Sequence, residues 1–169
     1  MGSPVAFQAH QSGRPGNIQV VNNRVIATGN GVNVRNVVGD VLIANNAIYA
    51  KSGTAIRLIS GNTELVRVHG NIGQGGISGG SSGYAEGNGL SADFVAAHFN
   101  GGPPIDVFPN EGSARVGAAN RDHLTQIDFN ENARGNKADV GAYLFDASGN
   151  ADWTVGEGFK TTSEDSLTP

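Results

Sequence analysis

The chain contains no cysteine, which excludes disulfides, thiolate catalysis and cysteine-ligated zinc or iron–sulfur sites. Its four histidines (His10, His69, His98 and His123) show no His-x-His or His-x3-His spacing, so no metal site is expected from them. No apolar run approaches the roughly 20 residues of a membrane-spanning helix, and no membrane partner is expected. Met1-Gly2-Ser3-Pro4 has neither a basic n-region nor an apolar h-region, so no signal peptide is expected in this chain. There is no phosphate-cradling Gly-x4-Gly-Lys-Ser/Thr loop. Aromatics are few and scattered and acids outnumber bases, 15 to 11, which argues against nucleic acid as a partner.

Glycine, by contrast, is abundant, with 26 residues. Each glycine in a helix interior costs roughly 1 kcal/mol, so the composition favours short strands and tight corners over a bundle. The strands repeat. Asn22-Asn23-Arg24-Val25-Ile26-Ala27 returns 23 residues later as Asn45-Asn46-Ala47-Ile48-Tyr49-Ala50. Gly31-Val32-Asn33-Val34-Arg35 returns after 22 residues as Gly53-Thr54-Ala55-Ile56-Arg57. Ile18 and Val20 align with Val41 and Ile43, alternate positions that face one interior. Val5–Ala9 reads as the remnant of an earlier turn. A blurred third turn runs through Leu65–Val68, Asn71-Ile72 and Gly75–Ser78, and a fourth, of longer period, through Ala92–Phe99 and Ile105–Phe108.

Such a period is what a chain needs to coil into stacked rungs. The expected fold is all-β: a short right-handed parallel β-helix (solenoid) of about four to five rungs with an irregular C-terminal segment. The expected domain spans residues 1–150, with a closing segment from about 113, and a polar tail over 151–169. Asn22, Asn23, Asn45, Asn46 and Asn71 recur at one corner. There they predict a ladder of side-chain amides in the interior, at positions where asparagine tolerates left-handed backbone.

Charge is unevenly spread. Residues 1–70 carry Arg14, Arg24, Arg35, Lys51, Arg57 and Arg67 against Asp40 and Glu64 only, whereas residues 71–169 carry a large acid excess. A basic half is suited to an anionic polymer, and equally to ordinary solvated surface. With a 22-residue register, Arg35 and Arg57 stack on one outward face and are the candidate substrate-binding pair. Asp93 and Asp106 are isolated carboxylates on different strands, with weak claim to acid–base work.

The Asn-Asn-x-(Val/Ile) corner followed by a Gly-led strand resembles the right-handed parallel β-helix repeats of the pectin lyase-like superfamily. Ser113-Ala114-Arg115, then Asp128-Phe129-Asn130-Glu131-Asn132-Ala133-Arg134, then Asp139-Val140-Gly141-Ala142-Tyr143, is similar to the closing segment of many secreted bacterial members. The chain departs from that pattern at Asn130-Glu131, where Asp-Gly is usual, and at Leu144, where Glu is usual. The resemblance implies a small carbohydrate-associated module, binding or structural, at a secreted or cell-surface location. Its alternative implication is a polysaccharide lyase acting on a uronate polymer. There a Lys or Arg removes the proton beside a carboxylate that a cation or Ca2+ neutralises. Lys51, Arg57, Arg67 and His69 are the candidate catalytic residues for that reading, although none matches a specific lyase motif. Members usually have more turns and an N-terminal cap, which implies that Met1–Gly16 folds over the open end or that a homodimer covers it.

Asp128-Phe129-Asn130-Glu131-Asn132 also opens like a calcium loop, but Ala133 replaces the glycine and Asp139 the terminal glutamate. The reading adopted is a structural turn with Arg134 paired to Asp128 or Asp139. No cofactor is expected, with Ca2+ the alternative.

Overall fold

A computed structural model describes residues 5–8, 17–37, 39–59, 63–80, 82–100 and 105–149. The expected N-terminal cap and any dimer contact there fall largely outside these residues, and so does the 151–169 tail. The strands in chain order are β1 (Val5–Gln8), β2 (Ile18–Val21), β3 (Arg24–Ala27), β4 (Val32–Arg35), β5 (Val41–Ala44), β6 (Ala47–Ala50), β7 (Ile56–Ile59), β8 (Val66–His69), β9 (Asn71–Gln74), β10 (Ile77–Ser78), β11 (Tyr84–Glu86), β12 (Phe94–Ala96) and β13 (Asp106–Pro109). One helical turn, α1 (Leu90–Asp93), precedes β12.

The protein is all-β, and its principal sheets are parallel. They have the orders β1-β4-β7-β10, β3-β6-β9-β11 and β2-β5-β8. From β2 to β10 the chain visits the three sheets in rotation, an arrangement compatible with a solenoid-like β-helix. Val25, Val32, Val34, Val41, Ile43, Ile48, Ile56 and Leu58 form the cluster inside. Each such side chain contributes about 1.5–3 kcal/mol by leaving water. The expected registers Ile18↔Val41 and Val20↔Ile43 are present, and so is Val25↔Ile48. Val5 pairs with Val32, so the expected upstream turn is represented by β1.

The corner asparagines divide into two kinds. Asn22 and Asn45 adopt left-handed φ of 55°, and Gly70 takes their place at 60°. Asn23, Asn46 and Asn71 form the ladder. Asn46 Oδ1 accepts from the backbone N–H of Asn23 at 2.9 Å and from its Nδ2 at 3.1 Å. Asn71 Oδ1 accepts from the N–H of Asn46 at 3.0 Å and from its Nδ2 at 2.9 Å. Asn71 Nδ2 in turn reaches the Ile43 carbonyl at 2.9 Å. Buried corner backbone thus finds partners without water.

Two expectations fail. The β4–β7 register is 24 residues, not 22: Val32 pairs with Ile56, Asn33 with Arg57 and Arg35 with Ile59. Both offsets are even and keep the inward residues inward. The observed one sets Val32 and Val34 beside Ile56 and Leu58, where the shorter one would set Val32 beside Thr54. The expected fourth turn is instead an antiparallel pair, β12 with β13, preceded by α1.

That pair and the closing segment form an outer layer over the β3-β6-β9-β11 sheet. Tyr49, Ile72, Phe94, Val107, Phe108, Val140 and Tyr143 pack between them. At β6 the sheet is therefore buried on both faces, which explains why all four of its residues are buried.

Candidate functional site

The sequence-nominated residues are spread over β4, β7, β8 and the turn after β6. Arg35 and Arg57 are exposed on the same sheet, on neighbouring strands, but lie two residues out of register rather than stacked. Lys51 is exposed just beyond β6, and Arg67 is exposed on β8 in a different sheet. His69, also on β8, lies against His123 of the closing segment, the rings tilted with centroids 4.8 Å apart.

The closing segment is held by buried polar side chains. Asn45 and Asn120 bond reciprocally: Asn120 N–H donates to Asn45 Oδ1 at 2.7 Å, and Asn45 Nδ2 donates to the Asn120 carbonyl at 2.9 Å. Asn22 Oδ1 accepts the Thr125 N–H at 3.2 Å. The left-handed asparagines therefore point outward and fasten the outer layer. Gly70 has no room for a side chain, since a Cβ there would lie 2.6 Å from Asn45 Oδ1.

Arg134, 1% exposed, donates to main-chain carbonyls and to Thr125. Its Nη2 reaches Gly141 O at 2.8 Å, its Nη1 Asp139 O at 3.1 Å and its Nε Thr125 Oγ1 at 3.1 Å. The expected pairing to the Asp128 or Asp139 carboxylate is not formed, because both carboxylates serve backbone N–H groups. Asp128 Oδ1 accepts from Asn130 and Asn132 at 2.8 and 2.9 Å. Asp139 accepts from Gly117 and Phe145 at 2.8 and 2.7 Å. The segment that opens like a calcium loop is a turn closed on its own first aspartate. Burial lowers the Arg134 pKa, and the two nearby carboxylates oppose that shift.

Asp93, fully buried, is likewise a clamp. Its Oδ2 accepts from Tyr49 Oη at 2.6 Å and Asn88 N–H at 2.9 Å, and its Oδ1 accepts from Ser113 Oγ and Ala114 N–H, both at 2.9 Å. Burial, and then this bond to Asp93, push the Tyr49 phenol upward. Asp106 accepts the Phe108 N–H at 3.0 Å.

Beside Asp93 lie two arginines. Arg115, 0% exposed, stacks over the Phe94 ring at 4.0 Å and donates through Nη2 to Asp93 O at 2.7 Å. Arg24 lies 4.8 Å from the Phe94 centroid and 4.7 Å from that of Tyr143, and its Nη1 donates to Val107 O. Burial brings the Arg115 pKa down to about 10. Arg24 is depressed by burial first and then by Arg115.

Between β3, β13 and the closing segment opens a cleft of about 570 Å³. Asn23, Arg24 and Ile26 form one wall, Ile105 and Val107 another, and Thr125, Ile127, Phe129 and Tyr143 the third. Phe129 meets Tyr143 edge-on at 5.4 Å yet stays 45% exposed, and Ile127 is 52% exposed. None of Arg35, Lys51, Arg57, Arg67 and His69 lines this cleft. It escaped sequence reasoning because its walls come from three distant stretches. Phe129 was visible only as part of the terminal pattern.

No protein-family model, curated protein or solved structure matches the chain.

Proposed function

We propose that the chain is a right-handed parallel β-helix of the pectin lyase-like kind and a non-catalytic carbohydrate-binding module, with an acidic polysaccharide as ligand. The observation that carries this reading is the cleft. Two exposed residues, the aromatic Phe129 and the polar Asn23, line one concavity of the size that small ligands occupy. Phe129 supplies the apolar platform for a sugar ring, and Asn23 the orienting polar contact through Oδ1, its Nδ2 being held by Val21 O and Asn46 Oδ1. The exposed cations of the first half, Arg35, Arg57, Arg67 and Lys51, supply a field that draws an acidic polymer. Binding is preferred to lyase chemistry because Lys51, Arg57 and the Arg67–His69 pair stand on three different elements.

Titration with oligosaccharides of alginate, pectate and chondroitin, and with a neutral glucan as control, tests the reading. Acidic oligosaccharides bind, and Phe129→Ala weakens them about tenfold, the scale of one aromatic contact. Arg35→Ala combined with Arg57→Ala flattens the salt dependence. Absorbance of unsaturated product stays flat with and without Ca2+. A rise abolished by Arg57→Ala or Lys51→Ala would establish the lyase instead, and absence of binding to every glycan would overturn both.

A further inference from the structure

Glu86 stands where the coil calls for an apolar residue. On β11 it pairs with Gly73, which pairs with Ile48, which pairs with Val25. Ile48 and Val25 belong to the inner cluster, so Glu86 occupies an inward position of the same column. Its carboxylate lies across the end of the coil, since a Cβ built on Gly76, which leads into β10 of the next sheet, would be 3.7 Å from Glu86 Oε1. The residue is exposed. Among the described residues no hydrogen bond or ion pair holds its carboxylate. Local packing therefore gives no reason for a charge here.

The strand edge supplies one. Among the described residues β11 is outermost in its sheet on one side and β3 on the other. Asn71 N–H donates to Gly83 O at 2.9 Å, and Gly87 N–H to Gly73 O at 2.6 Å. By strand alternation Tyr84 and Glu86 then turn their N–H and C=O groups to the open side. At the far edge, Asn23 O and Ala27 O accept from Ala47 and Lys51, both at 2.9 Å, so Arg24 and Ile26 of β3 face outward in the same way. None of these four residues has a main-chain partner on its open side among the described residues. The two edges are in phase. Continuing the sheet's own register, Ala85 beside Arg24 of a second copy, lets Glu86 N–H donate to Arg24 O and Ile26 N–H donate to Glu86 O. The ends are also stepped to match: β1 carries the neighbouring sheet one strand past β3, and β11 carries this sheet one strand past β10.

We propose that Glu86 keeps copies of this chain from joining end to end, β11 of one to β3 of the next. The same register that aligns the backbones sets the Glu86 carboxylate against the Val25 side chain of the second copy, out of water and without a cation. Burying an unpaired charge opposes the joint more strongly than a few strand bonds favour it. An inward charge is a known guard of an open strand edge. The other strands at this end need none. The chain itself runs under β8, where a Cβ on Gly83 would overlap Val68 O, and β10 has only two residues. The contact so prevented is head to tail, which does not close on itself and would grow into a filament.

Sedimentation velocity of the full chain over a range of concentrations tests this. Glu86→Val is expected to form a concentration-dependent series of oligomers, with an association constant at least about 100-fold above that of the unaltered chain. Ile26→Pro removes the outward N–H of β3, a change an edge strand tolerates. Added to Glu86→Val, it is expected to abolish the series. A Glu86→Val chain that sediments like the unaltered one would overturn the proposal. So would a series that survives Ile26→Pro, or one formed by the unaltered chain and abolished by Ile26→Pro. Should Ile26→Pro fail to fold, amide exchange on the Glu86→Val assembly decides. Protection gained at residues 26 and 86 supports the joint, and unchanged exchange there overturns it.

Discussion

The coiled part of the molecule, residues 17–86, and the closing segment, residues 113–145, are held together by opposite means. The coil is a backbone structure. Parallel strands pair copy upon copy, aliphatic side chains fill the inside, and the polar exception, the Asn23–Asn46–Asn71 ladder, repeats as the strands do. Among its described residues the closing segment has one isolated bridge, Ile127 with Ala133, and a single 3-10 turn at Arg121–His123. Its order comes from buried side chains used once each: Asp93, Arg115, Asp128, Arg134 and Asp139. Regular pairing satisfies backbone groups wholesale, whereas irregular chain buried against a sheet needs a particular side chain for each orphaned carbonyl or N–H. All of that set but Asp93 belong to the terminal pattern.

This contrast can be broken most sharply at Arg134. Arg134→Ala strips five carbonyl and hydroxyl partners and is expected to cost about 4 kcal/mol. Amide hydrogen exchange should show protection lost over 113–145 while β5, β6 and β7 keep theirs. Uniform loss across both regions would mean that they form one cooperative unit.

Asn46→Ala is the matching change in the coil. It removes the acceptor of Asn23 and the donor to Val20 O at 2.7 Å, at an expected cost of about 3 kcal/mol. Here protection should fall across the coil, neighbour by neighbour, as expected when stability passes between adjacent repeats.

The smallest of the three effects lies at the seam. Tyr49→Phe deletes the bond to Asp93 that ties β6 to α1 and is expected to cost about 1.5 kcal/mol at neutral pH. The Tyr49 pKa is raised by folding, so its contribution is complete below the unfolded value near 10. It is lost as pH climbs from there through the folded value. The stability gap between the unaltered chain and Tyr49→Phe should therefore be flat up to about pH 10 and narrow above it, measured by denaturant titration. A gap that narrows on acidification instead would show that Asp93, not the phenol, governs the seam.

Much of the coil was legible because repetition is written in the sequence itself. The offset of 23 between Ile18 and Val41, and between Asn23 and Asn46, is the strand register. Legibility stopped where two registers shared one parity, as at Arg35 and Arg57. Side-chain alternation cannot separate an offset of 22 from one of 24. It stopped again at Ala92–Phe108, where weak repetition read as a further turn although the strands run antiparallel. For the site, the terminal pattern marked Arg115, Asp128 and Arg134 as belonging together. Their partners were hidden, because a carbonyl acceptor is the same on every residue and leaves no trace in side-chain identity.

The sequence by itself determined the short strands, their stacking order, the glycine and asparagine corners and the position of the ladder, all of which follow from local geometry repeated at a near-constant interval. Only the tertiary structure decided that Asn22 and Asn45 face outward to fasten a second layer, and that Arg35 and Arg57 lie two residues out of register. It alone brought Arg24 beside Arg115 and opened the cleft under Phe129. These are meetings between stretches as much as 119 residues apart. They depend on how one irregular segment lies across a sheet, which no periodicity in the chain encodes.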